Sequence, residues 1–177
     1  MNHFGFYEIP LAFNIDESAL RTRFYQLSKQ YHPDFYSNQP EEKQQEMLHL
    51  STLNNKAFKT LGSFEGRVKY ILELHGMLEE GEKHALPPDF LMEMMDINEA
   101  LSDLDDVPDP AKLQPITSQV DRFEEQINGE LKKESLLFDE TENEEERRSI
   151  LERIKSAYHK SRYLWRLRET LSKFTPD

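Results

Sequence analysis

The sequence predicts an all-α protein of two helical domains, on three observations. Glycine is scarce, six in 177 residues, and the β-branched valine and isoleucine that strands favour are few. Apolar residues recur at three- and four-residue spacing along most of the chain, the period of an amphipathic helix. A polar stretch, residues 77–87, ends in Pro87-Pro88 and interrupts that pattern. It reads as a linker between a first domain, 1–76, and a second, 88–177.

In the first domain, Phe4, Phe6, Tyr7 and Ile9 before Pro10 make one or two helical turns. A second helix starts at Asp16, whose carboxylate can cap it. Leu20, Phe24, Leu27 and Tyr31 form its buried stripe, and Pro33 stops it, because a residue before proline resists the α conformation. Pro40 suits the first turn of a third helix, with Glu41 and Glu42 near its positive end. Met47, Leu50, Ala57, Phe58 and Leu61 are its apolar stripe, and Gly62 can end it. A fourth helix over 65–75 buries Val68, Ile71, Leu72 and Leu74, with Gly76 as its C-terminal cap.

The second domain reads as three helices, roughly 88–105, 109–138 and 143–173, joined by turns at Asp105-Asp106-Val107-Pro108-Asp109-Pro110 and at 139–143. Ile116, Val120, Phe123, Ile127 and Leu131 share one face of the middle helix; Ile150, Ile154, Ala157, Leu164 and Leu171 share one face of the last, with Trp165 near that stripe and expected in the core. Short turns between long helices favour antiparallel neighbours, so this half should be a three-helix bundle.

Composition narrows the function. The absence of cysteine excludes disulfides, thiolate metal sites and cysteine nucleophiles. The N-terminus MNHFGFYEIP carries neither a basic flank nor a signal-length apolar core, and no apolar run approaches the ~20 residues that span a bilayer. A cytoplasmic protein is expected. A net charge of −12 argues against nucleic acid, whose binding depends on neutralising phosphates. The charge is uneven: residues 76–146 hold 5 basic and 22 acidic side chains, residues 147–177 hold 9 basic and 3 acidic. Either acidic and basic helices attract one another within the bundle, or part of this charge meets a partner. The six histidines, His3, His32, His49, His75, His84 and His159, include no pair at i, i+3 or i+4 spacing, so no metal and no cofactor is expected.

One tripeptide carries more information than any other. His32-Pro33-Asp34 follows Lys29-Gln30-Tyr31 in the loop between two amphipathic helices, about thirty residues from the start. This arrangement resembles a J domain. The run LNNKAFKTLGSFEGRVKYILELHG, residues 53–76, is similar to the third and fourth helices of HscB-type J proteins, the co-chaperones dedicated to iron–sulfur cluster assembly. DFLMEMMDINEAL, residues 89–101, is similar to the first helix of their C-terminal domain. The resemblance implies a non-enzymatic co-chaperone with an N-terminal J domain and a C-terminal three-helix bundle. It implies two partners: the ATPase domain of a heat-shock-seventy-class chaperone of the HscA or DnaK type, and the scaffold protein IscU.

For the first partner, the resemblance implies contacts from His32, Pro33 and Asp34 and from the solvent face of the second helix. By position that face bears Arg21, Tyr25 and Lys29, at roughly 100° to 180° from Leu20, with Arg23 at the edge of the buried stripe. Tyr25, Gln26 and Phe35 depart from the more basic pattern of general J proteins, which narrows the chaperone contact. Two other readings stand beside it: His32 as a loop residue capping a backbone group, and the basic residues as an ordinary solvated face. An acid–base pair of His32 and Asp34 finds no accompanying nucleophile, and Pro33 is expected to point the two side chains apart.

The helix from Pro88 has two faces. Phe90, Met94, Ile97, Leu101 and Leu104 lie within about 40° of one direction. Leu91, Met92 and Met95 fall opposite, among Asp96, Glu99 and Asp103. An apolar cluster ringed by one sign of charge suggests a binding surface, and methionine repacks readily on such a surface. The competing reading buries this face under the last helix or the first domain. By the resemblance, Leu91, Met92, Met95, Asp96, Glu99 and Asp103 receive IscU together with Tyr163 of the last helix; Met95, Asp96 and the shorter acid Asp103 are conservative departures from the family pattern. A J-domain adaptor with another client, or a structural helical adaptor with a degenerate J domain, are the alternatives.

Overall fold

The molecule, a computed structural model that describes residues 2–78, 86–104 and 109–174, contains only helices and turns among those residues. The chain divides into two units, Met1–Leu78 and Glu79–Asp177. Most of the expected linker, 79–85, and the turn at 105–108 lie outside the described residues, as does His84.

The first unit is built from α1 (His3–Phe6), α2 (Glu17–Gln30), a 3₁₀ turn (Pro33–Tyr36), α3 (Glu41–Leu61) and α4 (Phe64–Leu74). Asp16 caps α2, its Oδ1 accepting from the Ala19 N–H at 2.9 Å. Helices α2 and α3 form the hairpin expected from their stripes: Leu20, Leu27, Met47, Ala57 and Leu61 are buried, and Phe24 stacks on Phe58 with centroids 4.1 Å apart. Leu74 departs from its expected place. It is 39% exposed, because the last turn of α4 passes beyond the core and closes there. Gly76 stands one residue past the C-cap at φ +66. The Met77 N–H reaches Leu72 O at 2.9 Å and the Gly76 N–H reaches Glu73 O at 3.0 Å, a Schellman closure that requires a left-handed residue.

Two buried polar side chains tie this unit together. Asn54 of α3 accepts the Tyr7 hydroxyl at 2.8 Å and donates to Phe24 O and Ser28 Oγ at 3.1 and 2.9 Å, joining the segment after α1 to α2 and α3. Arg67 of α4 donates to Phe13 O, Leu61 O and Glu17 Oε1 at 2.7–2.9 Å. A buried guanidinium is tolerated only when its donors are satisfied in this way.

The second unit comprises α5 (Pro88–Ser102), α6 (Pro110–Glu140) and α7 (Glu144–Ser172). Asn143 caps α7 through the Glu146 N–H at 3.0 Å, and three glutamates fill the first turn of α7, where the helix dipole favours them. Ile116, Val120, Ile127, Leu131 and Phe138 of α6 pack with Ile150, Leu151, Ile154, Ala157 and Leu164 of α7, all buried. Ser135, with no exposed area, marks a close approach in this core. Cross-helix ion pairs line the flanks: Arg153 to Glu134 at 2.8 Å, Lys160 to Glu130 at 3.7 Å, and Arg168 to Asp121 and, at 2.6 Å, to Glu124. The acidic and basic helices thus do attract one another. Trp165, expected in the core, lies on the surface, 48% exposed with Arg162 over its ring. The buried arc of α7 shifts along its length, so that Leu164, Leu167 and Leu171 take the inside positions at its C-terminal end.

Candidate functional site

In the first unit, α2 gives way at Tyr31 to an extended His32, φ −64 and ψ 122, and Pro33 opens the 3₁₀ turn. The His32 Nδ1 accepts the Asp34 N–H at 3.4 Å and lies 3.7 Å from Asp34 Oδ2. Pro33 therefore does not set the two side chains apart as expected. A 3₁₀ turn is tight, and its N-cap side chain folds back over the residue two places on. The two contacts need opposite forms of Nδ1: a neutral acceptor for the backbone N–H, a protonated donor for the carboxylate.

The loop is braced on both sides. Tyr36 donates its hydroxyl hydrogen to Gln30 O at 2.8 Å, gripping the end of α2. Gln44 of α3 donates to Ser37 O and Gln39 O at 3.2 and 2.8 Å. Nothing in helical periodicity identifies Tyr36 and Gln44 in advance. Lys29, His32, Asp34 and Phe35, with Ser28, line one shallow groove. Phe35 is 66% exposed beside the His32 ring. Arg21 and Tyr25 continue the exposed face of α2 up from Lys29 at four-residue spacing. Arg23 is placed differently from its expected partners: its Nη2 pairs with Glu8 Oε2 at 3.1 Å. Such a surface pair is worth about 0–1 kcal/mol.

In the second unit, α5 buries Phe90, Met94, Ile97 and Leu101, while Leu91, Met92 and Met95 are 39%, 66% and 68% exposed. Asp96, Glu99 and Asp103 are exposed around them. The last helix does not cover this face. It supplies an edge instead. Asn98 donates to the Tyr163 hydroxyl of α7 at 3.0 Å and to Met94 O at 2.7 Å. The Phe90 ring meets Tyr163 edge-on at 5.9 Å, and Arg166 lies over the Tyr163 ring at 5.6 Å. Tyr163 is thereby held beside the flank of α5 that bears Leu91 and Met95, about 100° and 140° from Phe90 on the helix. The sequence reading missed Asn98. Its position between the buried and exposed arcs of α5, about 80° from Phe90, is the one signal that could have marked it.

Among the described residues no group of three or more His, Asp or Glu side chains is placed to hold a metal ion, and no helix is long and apolar enough to cross a membrane. The sequence-predicted residues thus fall into two exposed groups, one on each unit.

Comparison with known proteins agrees with this anatomy. Residues 86–172 match the HSCB C-terminal oligomerisation domain. The fold is similar to that of human co-chaperone protein HscB, with a TM-score of 0.73 and 28% identity, over 97% of this chain and 81% of that one. It is also similar in fold to the chaperone HscB from Vibrio cholerae, with a TM-score of 0.62 and 24% identity, over 97% of this chain and 99% of that one. With a His-Pro-Asp hairpin in its first unit and the HSCB C-terminal domain in its second, the chain is similar along nearly its whole length to the HscB-type co-chaperones.

Proposed function

We propose that this protein couples two partners: its first unit stimulates the ATPase of a heat-shock-seventy-class chaperone of the HscA or DnaK type, and its second delivers the scaffold protein IscU to that chaperone. The observation that carries the reading is the placement of two unlike surfaces on separate units of an HscB-type chain. One is a braced loop presenting an imidazole, a carboxylate and Lys29. The other is an apolar cluster of Leu91, Met92 and Met95 edged by Tyr163 and three acids. His32, Pro33, Asp34, Lys29, Tyr25 and Arg21 form the chaperone contact, with Arg23 able to join by leaving its weak pair with Glu8. Leu91, Met92, Met95, Asp96, Glu99, Asp103 and Tyr163 form the scaffold contact.

The steady-state ATPase rate of the chaperone, with and without this protein and IscU, tests both halves. His32→Gln should abolish stimulation while leaving IscU affinity unchanged. Stimulation that survives this substitution refutes the first half. IscU that neither binds this protein nor raises the stimulated rate refutes the second.

A further inference from the structure

Tyr163 of α7 is tied to α5 by a hydrogen bond whose direction its donor fixes. We infer that Asn98 is a positioning residue for client binding: by donating to the Tyr163 hydroxyl, it leaves the hydroxyl hydrogen to be given to an oxygen acceptor on the client. The inference rests on the client-delivery reading above and names the chemistry of one contact within it, a carbonyl or carboxylate oxygen beside the apolar cluster.

The Asn98 Nδ2 lies 2.7 Å from Met94 O and 3.0 Å from the Tyr163 hydroxyl. A backbone carbonyl only accepts, so the end of the amide that faces it is the NH2 group; exchanging the two ends would set oxygen against oxygen. Both amide hydrogens are then used, one on Met94 O and one on the phenol oxygen. An NH2 group does not accept. The Tyr163 O–H therefore cannot turn back to Asn98, and no other described residue takes its hydrogen. In the free protein that hydrogen is left for solvent.

Position makes this donor useful. The ring is held before any partner arrives: Phe90 meets it edge-on at 5.9 Å and Arg166 lies over it at 5.6 Å. A group fixed in this way loses little freedom on binding. Asn98 stands three residues from Met95 and seven from Leu91, on the flank of α5 that carries both. A client that covers these two side chains also shuts water out from the half-buried Tyr163. The hydroxyl then needs an acceptor from the client, because a donor shut away unmatched loses its bond to water and gains nothing. A client with an apolar group at that point is rejected on the same ground. Tyr163→Phe would keep the ring edge and lift this demand, so the hydroxyl serves selection of the client rather than packing.

The test is equilibrium binding of IscU to the full chain, with a thermal melt of each variant. Tyr163→Phe, which removes one oxygen and keeps the ring, should weaken binding about three- to tenfold at a nearly unchanged melting midpoint. Asn98→Asp sets an acceptor where the NH2 group stood, so the hydroxyl donates inward. The tie between α5 and α7 survives, yet binding should weaken at least as much. The same substitution on the Tyr163→Phe background carries its added charge alone and should weaken binding no further. Met92→Ala/Met95→Ala serves as the control on the underlying reading. If that control loses affinity while Tyr163→Phe binds within twofold of wild type, the hydroxyl only ties α5 to α7; the inference is overturned and client delivery stands. If Asn98→Asp weakens binding equally with and without the hydroxyl, Asn98 does not act through Tyr163 and its positioning role is overturned. If neither Tyr163→Phe nor the methionine pair changes affinity, both readings fall.

Discussion

Replacing Met92 and Met95 together by alanine removes most of the exposed apolar area at the centre of α5 without touching its buried stripe of Phe90, Met94, Ile97 and Leu101. Complete burial of a methionine side chain is worth roughly 1.5–3 kcal/mol relative to full exposure. Met92 is 66% and Met95 68% exposed, so a partner that covers them gains about two thirds of that, or about 1–2 kcal/mol from each. The double variant should therefore lose about 2–4 kcal/mol of binding, a roughly 30- to 700-fold rise in Kd for IscU. Leu91, at 39% exposure, adds a smaller share by the same argument. Neither methionine contributes to the core, and alanine is the better helix former, so the thermal midpoint should hold or rise slightly. Titration calorimetry gives the Kd and a melt gives the midpoint on the same sample. A rise below threefold with an unchanged melt would refute the assignment of this face to the client.

Three further expectations concern the first unit, each read by urea denaturation of the full chain followed by a probe of that unit. Asn54→Ala deletes the bonds to Phe24 O, Ser28 Oγ and the Tyr7 hydroxyl and should cost about 2–3 kcal/mol; a loss under 1 kcal/mol would show that the network is not what joins α1, α2 and α3. Gly76→Ala keeps a φ of +66 with no atom within 4 Å of the added Cβ, so its cost should be purely conformational, about 1 kcal/mol, and a neutral result would contradict the Schellman closure. The His3 imidazole is buried against Tyr70, with centroids 4.6 Å apart; burial first, and the charge of Lys56 second, hold its pKa below the ordinary histidine value. Below about pH 6.5 the unfolded chain takes up a proton that the folded chain resists, so this contribution is complete above that pH and is lost as pH falls toward the folded pKa. His3→Phe should flatten the stability profile between neutral pH and pH 5, and parallel profiles for variant and wild type would rule the mechanism out.

Much of this architecture is legible because local signals repeat. Asp16 before an apolar period, Gly76 after one, and the stripes of α3, α5 and α6 each state their element directly, since side-chain spacing on a helix is fixed. What stays hidden depends on the neighbour. Nothing in helical spacing marks Asn54 and Arg67 as buried, yet they are 1% and 3% exposed, because carbonyls and a carboxylate from distant segments converge on them. Trp165 reads as core from an ideal wheel centred on Ile150. The C-terminal half of α7 also meets α5, through Asn98 and Tyr163, and this turns its buried arc toward Leu164, Leu167 and Leu171. The His32–Asp34 approach was hidden for a similar reason: proline fixes one dihedral, and the path of the following turn is set by Tyr36 and Gln44. In the proposed client site, the exposed side of α5 is visible as a pattern, whereas the Asn98 clamp on Tyr163 requires knowing which helix lies alongside.

The lopsided charge of the second unit then resolves into two uses rather than one. Sequence alone poses a choice between internal attraction and a partner. On α6, Asp121, Glu124, Glu130 and Glu134 meet Arg168, Lys160 and Arg153 of α7, so this part of the imbalance is neutralised at the helix seam. Asp96, Glu99 and Asp103 of α5 lie on the face bearing Met92 and Met95 instead, in solvent. Exposed pairs along the seam contribute little each, and the helices would pack through Ile127, Leu131, Ile150 and Ile154 without them. On the proposed client face, acids around an apolar cluster have another use: they would keep an exposed Met-rich face soluble and repel acidic competitors. Removing the three acids should therefore leave the thermal midpoint nearly unchanged while lowering the salt sensitivity of client binding, whereas removing the α6 acids should leave client binding unchanged and lower the midpoint only slightly, by the ~0–1 kcal/mol of each exposed pair.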